Sequence, residues 1–139
     1  MTVQPFPRVW QVIAAERARV AQPRQITLPF VVYIWVTGLL SLALVCLFWP
    51  SPYLLLVLMS LDAGLMLSAR KNVADLVLVE FCGALGAVAE ALGIGSGAWS
   101  YALPMAMGVP IWLPTIWGIA ALFVKEIGMQ IEWVVEQLR

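Results

Sequence analysis

The sequence predicts an all-α polytopic membrane protein: four transmembrane helices, an amphipathic N-terminal interfacial helix and a cytoplasmic C-terminal helical extension. Three observations carry that class. Hydrophobic residues make up 63% of the 139 positions and charged residues 12%, with a mean hydropathy of +0.93, so a soluble globule of this composition would lack the polar surface to cover itself. Apolar runs of about the ~20 residues that cross a hydrocarbon core recur between short breaks. Once four spans are drawn, all eight basic residues (Arg8, Arg17, Arg19, Arg24, Arg70, Lys71, Lys125 and Arg139) fall on one side. That asymmetry predicts the cytoplasmic (inner) membrane with both termini cytoplasmic.

Residues 1–26 form the only substantial polar segment before the first span. Pro7 suits a helix start, and Trp10, Ile13, Ala14 and Val20 recur at near-helical spacing while Glu16, Arg17 and Arg19 point elsewhere. This reads as a short helix lying on the membrane surface until Pro23 stops it. The transmembrane domain covers 27–124. Its first span runs from Thr27 to Trp49, and Trp49 and Tyr53, around Pro50 and Pro52, mark an interfacial turn. The second runs from Tyr53 to Ala69 and carries Ser60, Gly64 and Ser68 at four-residue spacing, a close-packing stripe. The third covers Val73 to Ile94. The fourth enters near Pro110 and reaches Val124. Residues 125–139 continue it as the extension, with Ile127, Ile131, Val134, Val135 and Leu138 at helical spacing.

Several function classes fall away at once. No histidine is present, which removes His-ligated haem and zinc and any Ser-His-Asp triad. No metal site or other cofactor is indicated. No basic cluster exceeds two adjacent residues, so nothing points to nucleic acid. Cys46 and Cys82 lie roughly 15 Å apart in depth, too far for a bridge, and read as buried apolar side chains.

The chain is organised around the stretch from Glu80 to Gly118. On a helix, Glu80, Gly83, Ala84, Ala87, Glu90, Ala91 and Ile94 share a face roughly 120° wide. Glu80, Gly83, Ala87 and Ala91 are the candidate helix-packing set, a small-residue ladder that admits a second backbone. Three acids, Asp62, Glu80 and Glu90, lie within the spans, and no basic residue shares their depth. Each must be protonated, hydrogen-bonded to a neighbouring helix or facing a wet cavity. Two readings stay open: the acids glue helices together, or they donate protons or bind a ligand. Glu90 and Asp62 are the candidate catalytic residues. Trp99, Tyr101, Trp112 and Trp117 are the candidate ligand-binding aromatics of a cleft at the outer interface, although the first three also suit an aromatic belt. Pro114 deprives the carbonyl at position 110 of its helical partner, which should kink or open the start of the fourth helix.

The run Glu90, Gly93, Gly97, Tyr101, Gly108-Val109-Pro110, Pro114 and Trp117 resembles a pattern in membrane carotenoid-biosynthesis hydratases, over about a quarter of the chain. The resemblance implies acid-catalysed addition of water to an isoprenoid double bond, with Glu90 or Asp62 as the proton donor by matching position. The chain has about half that family's length and fewer spans. Three functions follow as expectations. The first is binding or modification of an apolar, isoprenoid-type membrane lipid at the outer cleft. The second is an accessory or assembly subunit of a larger membrane complex. The third is an oligomeric proton-coupled carrier with Glu80 and Asp62 as the relay. The two small-residue stripes predict a homo-oligomer or a hetero-complex.

Overall fold

The computed structural model describes residues 26–69 and 72–139. The predicted interfacial helix, and the Arg70-Lys71 pair that closes the second span, lie outside the described residues. Those described form four α-helices and no strand: α1 (Leu28–Phe48), α2 (Pro52–Ser68), α3 (Val73–Gly95) and α4 (Leu113–Gln137), with a short 3₁₀ turn at Ala106–Gly108. The connections follow local chemistry. Pro52 and Pro114 each sit in the first turn of a helix, where a missing N–H costs nothing. The side chain of Asn72 accepts the Ala74 N–H at 3.1 Å and caps α3.

Three segments, Leu28–Phe48, Val73–Gly95 and Ala106–Gln137, are long and apolar enough to cross a membrane; Pro52–Ser68 is apolar but shorter. The distribution of side chains fits lipid surroundings. The buried face of α1 consists of Ile34, Thr37, Gly38 and Ser41, while Leu39, Leu40, Leu42 and Leu47 are exposed. Small and polar groups therefore face inward and leucines outward, the reverse of a soluble helix. The inward hydroxyls stay satisfied by their own helix: Thr37 donates to the Tyr33 carbonyl at 3.0 Å and Ser41 to the Gly38 carbonyl at 2.8 Å.

α4 is the hub, packing on α3, α1 and α2, whereas α2 and α3 share no substantial interface. Its closest approach is to α3. A Cβ built on Gly83 would lie 2.6 Å from the Pro114 carbonyl oxygen, and one on Gly118 would lie 2.7 Å from that of Val79. Only glycine permits this backbone contact. The core formed around it contains Leu55, Met59 and Met66 of α2, Val79 of α3, and Val109, Trp112, Ile119 and Leu122.

The Gly83–Pro114 contact sets the depth of α4. Gly95 ends α3 about 18 Å above Gly83 at ~1.5 Å per residue, so α4 begins level with the middle of α3. Residues 96–112 fold back down to reach that level, and Val109, Pro110 and Trp112 are buried there. The fourth span was expected to enter as helix near Pro110; it is helical only from Leu113. The carbonyl of Pro110, deprived of a helical donor by Pro114, accepts the Leu113 N–H at 3.1 Å instead. The opening expected at Pro114 is thus a non-helical approach upstream of it, with left-handed backbone at Met107 (φ 53°) and Gly108 (φ 82°). At its other end α4 runs on past the start of α3, and residues 131–139 are all exposed.

Candidate functional site

Near the loop end of α3, three of the predicted site residues meet. Glu90 Oε2 accepts the Trp99 Nε1–H at 2.8 Å and the Tyr101 hydroxyl at 2.9 Å. The helix spacing brings Glu90 to the flank facing the loop, and Gly93, one turn further on, leaves the space that the Trp99 ring fills; a Cβ there would collide with that ring. Tyr101 is half-buried, and burial, then its hydrogen bond to Glu90 and that group's charge, push its phenol up to about 12. One carboxylate oxygen thereby ties the descending loop to α3. Accepting two donors fills the usual capacity of that oxygen.

The other predicted aromatics separate. Trp112 is buried in the core at 7% exposure. With Tyr101, Val45, Trp49 and Pro110 it lines a small pocket of about 260 Å³. Trp117 does not join that cleft. It lies one turn into α4, its ring packed against Gly86 of α3, and it faces a lateral groove of about 760 Å³ between the two helices. The groove is walled by Leu78, Cys82, Leu85, Ala89, Ala120, Ala121 and Val124, with Lys125 at one end supplying its only charge. It extends for roughly 16 Å along α3 from Leu78 to Ala89, at ~1.5 Å per residue.

The acids also part company. Asp62 is 2% exposed, on the same face of α2 as Met59 and Met66, and neither carboxyl oxygen has a hydrogen-bond partner among the described residues. Glu80 is exposed and lines a second groove of about 530 Å³, with Ser60, Gly64, Gly83 and Thr115. Of the expected packing ladder, Gly83 makes the backbone contact described above, whereas Ala87 and Ala91 are only half-buried. Gly86 does what Ala87 was expected to do, because α4 crosses α3 on the Asp75, Val79, Gly83, Gly86 face rather than on the Gly83, Ala87, Ala91 face. Cys46 is exposed and Cys82 half-buried, so neither is the core side chain expected; both turn toward the apolar surroundings of the bundle.

Sequence reasoning missed one ionic element. Asp75, 1% exposed near the start of α3, is paired with Lys125 of α4. Glu126 beside it is also 1% exposed, and Trp35 of α1 donates to Gln130 Oε1 at 3.3 Å while its ring meets Phe123 edge to face. The available signal was that Asp75 precedes Val79 and Gly83 by four and eight residues, on the buried face. Among the described residues no group of three or more acidic, Cys or His side chains could hold a metal ion. Comparison with protein-family models, with curated proteins and with solved structures gives no match.

Proposed function

We propose that this is a four-span protein of the cytoplasmic membrane, both termini cytoplasmic, that binds an apolar, isoprenoid-type lipid along the lateral groove between α3 and α4. The carrying observation is the groove itself: about 760 Å³, open sideways, and lined by Gly86, Ala89, Ala120, Ala121 and Trp117. Small residues leave room for the methyl branches of an isoprenoid chain, and the Trp117 indole offers a flat apolar face to its double bonds.

Binding is favoured over hydration by the state of the two candidate acids. Glu90 holds Trp99 and Tyr101 and does not line the groove. Asp62 is enclosed in the α2 face of the core. A proton donor must come within hydrogen-bond reach of the atom it protonates, and neither carboxyl meets a groove-bound chain. Lipid extracted from protein purified in mild detergent tests the reading. Wild-type protein should retain an isoprenoid-type lipid, and Ala120→Phe, which fills the groove, should lose it while melting normally. An unchanged lipid complement would reject the proposal.

A further inference from the structure

The groove between α2 and α3 lies apart from the lipid groove and has a different chemistry. α2 and α3 are consecutive in sequence yet share no substantial interface, and the space between them, about 530 Å³, is floored by Pro114 and Thr115 at the start of α4. Its α2 wall carries Ser60 and Gly64, and its α3 wall Gly83 and Ala84. Ser60 and Gly64 of one small-residue stripe therefore share this trough with Gly83 of the other. Gly64 is open to it: a Cβ placed there meets nothing within 4 Å.

Between those walls stands Glu80, exposed and with no hydrogen bond or ion pair among the described residues. It lies seven residues into α3, about 10 Å along the helix from Val73 at ~1.5 Å per residue. With α3 spanning the membrane as proposed, an acidic side chain without a partner at that depth is unfavourable and is relieved by a donor, best a cation. We propose that the α2–α3 groove docks a transmembrane helix of another polypeptide, which brings a Lys or Arg about 10 Å in from the membrane face on the Val73 side to pair with Glu80. The small residues on both walls let that helix seat closely.

Two other occupants fit less well. Among the described residues a second copy of this chain has no uncommitted cation within a helix. Lys125 is the basic residue within a helix among those described, and it is committed to Asp75; Arg139 lies past the end of α4. A lipid amine sits at the interface rather than one-third of the way through the hydrocarbon.

The inference rests on the four-span reading but not on lipid binding in the lateral groove, and it is tested separately. A photo-crosslinking residue is placed at Gly64 of the full chain in its native membranes, with Leu54, exposed on another flank of α2, as the control position. The Gly64 probe should capture a transmembrane segment that carries Lys or Arg, mapped by mass spectrometry, and the Leu54 probe should not. Glu80→Lys should lower that crosslink at least ten-fold without altering the melting of this chain, and exchanging the partner's cation for Glu should restore it. Gly64→Leu provides a second route: its Cβ meets nothing within 4 Å, its side chain fills the trough, and it should abolish co-purification of the same partner. Crosslinks confined to lipid or to a second copy of this chain would overturn the proposal, as would a partner crosslink that survives Glu80→Lys.

Discussion

Lys125 of α4 holds Asp75 of α3 in an ion pair whose carboxylate side is 2% exposed and whose ammonium side is 30% exposed. The acid is enclosed while the base reaches outward along the groove wall, so the two partners differ in what happens when either is lost. Removing the cation strands a buried charge, whereas removing the acid leaves an ammonium that can turn toward water or lipid headgroups.

Lys125→Met should therefore destabilise the protein by about 3 to 5 kcal/mol, the cost of breaking a buried pair from one side. Asp75→Asn should cost much less. Thermal melting of both variants in one detergent reads the order directly, and a milder effect for Lys125→Met than for Asp75→Asn would contradict the asymmetry.

Gly83→Val inserts bulk where a Cβ already lies 2.6 Å from the Pro114 carbonyl. Overpacking of this kind costs about 1 to 3 kcal/mol or more, here with separation of α3 from α4. Gly64→Ala on α2, where a Cβ meets nothing within 4 Å, is the control and should be neutral or slightly stabilising through its helix propensity. Equal melting temperatures for the two variants would mean that α3 and α4 do not cross at Gly83.

Glu90→Gln keeps a carbonyl oxygen for the Trp99 and Tyr101 donors and should leave the loop in place. Glu90→Leu orphans both donors and should cost about 1 to 3 kcal/mol. Fluorescence of Trp99, followed in each variant, separates the two: a red shift is expected for Leu and not for Gln.

Tyr101 gives a pH test of the same contact. Its phenol is raised from 10.0 to about 12, so the folded state favours the neutral form. The contribution to stability is complete below pH 10, declines as pH rises past that value, and is lost above about 12. Phenolate absorbance present in wild type and missing in Tyr101→Phe should accordingly grow in near pH 12; growth near pH 10 would show that burial and Glu90 do not act on this hydroxyl.

Asp62→Leu should raise thermal stability, since an apolar side chain of similar reach replaces a buried carboxyl with no partner among the described residues, relieving a penalty of about 1 to 3 kcal/mol. A fall in melting temperature would reveal a hydrogen bond or bound water that Asp62 serves.

The all-α class and the ends of α1 and α3 were legible because apolar runs interrupted by Pro, Asn and aromatic pairs leave few other solutions. The Glu90, Trp99, Tyr101 meeting was legible too: an acid near a helix end followed by a Gly-rich turn and two aromatic donors is short-range information. What escaped was long-range. Whether Gly86 or Ala87 receives α4 depends on the crossing angle of two helices, which helical spacing within α3 does not contain. Trp117, too deep in the fourth helix for an aromatic belt, reads as part of the outer cleft with Trp112, yet five residues on a helix turn a side chain by about 140° to the far flank. Asp75 was overlooked because its partner is fifty residues away.

The late start of α4 bears on how the chain enters a bilayer. From Leu113 to Gln137 the helix is about 36 Å long at ~1.5 Å per residue, enough for a hydrocarbon core of about 30 Å, yet beside the upper half of α3 the returning chain is not helical. The non-helical approach above it has peptide groups that hydrocarbon cannot satisfy unless α3 is already alongside. α3, the folded-back loop and α4 therefore complete one another only as a single hairpin.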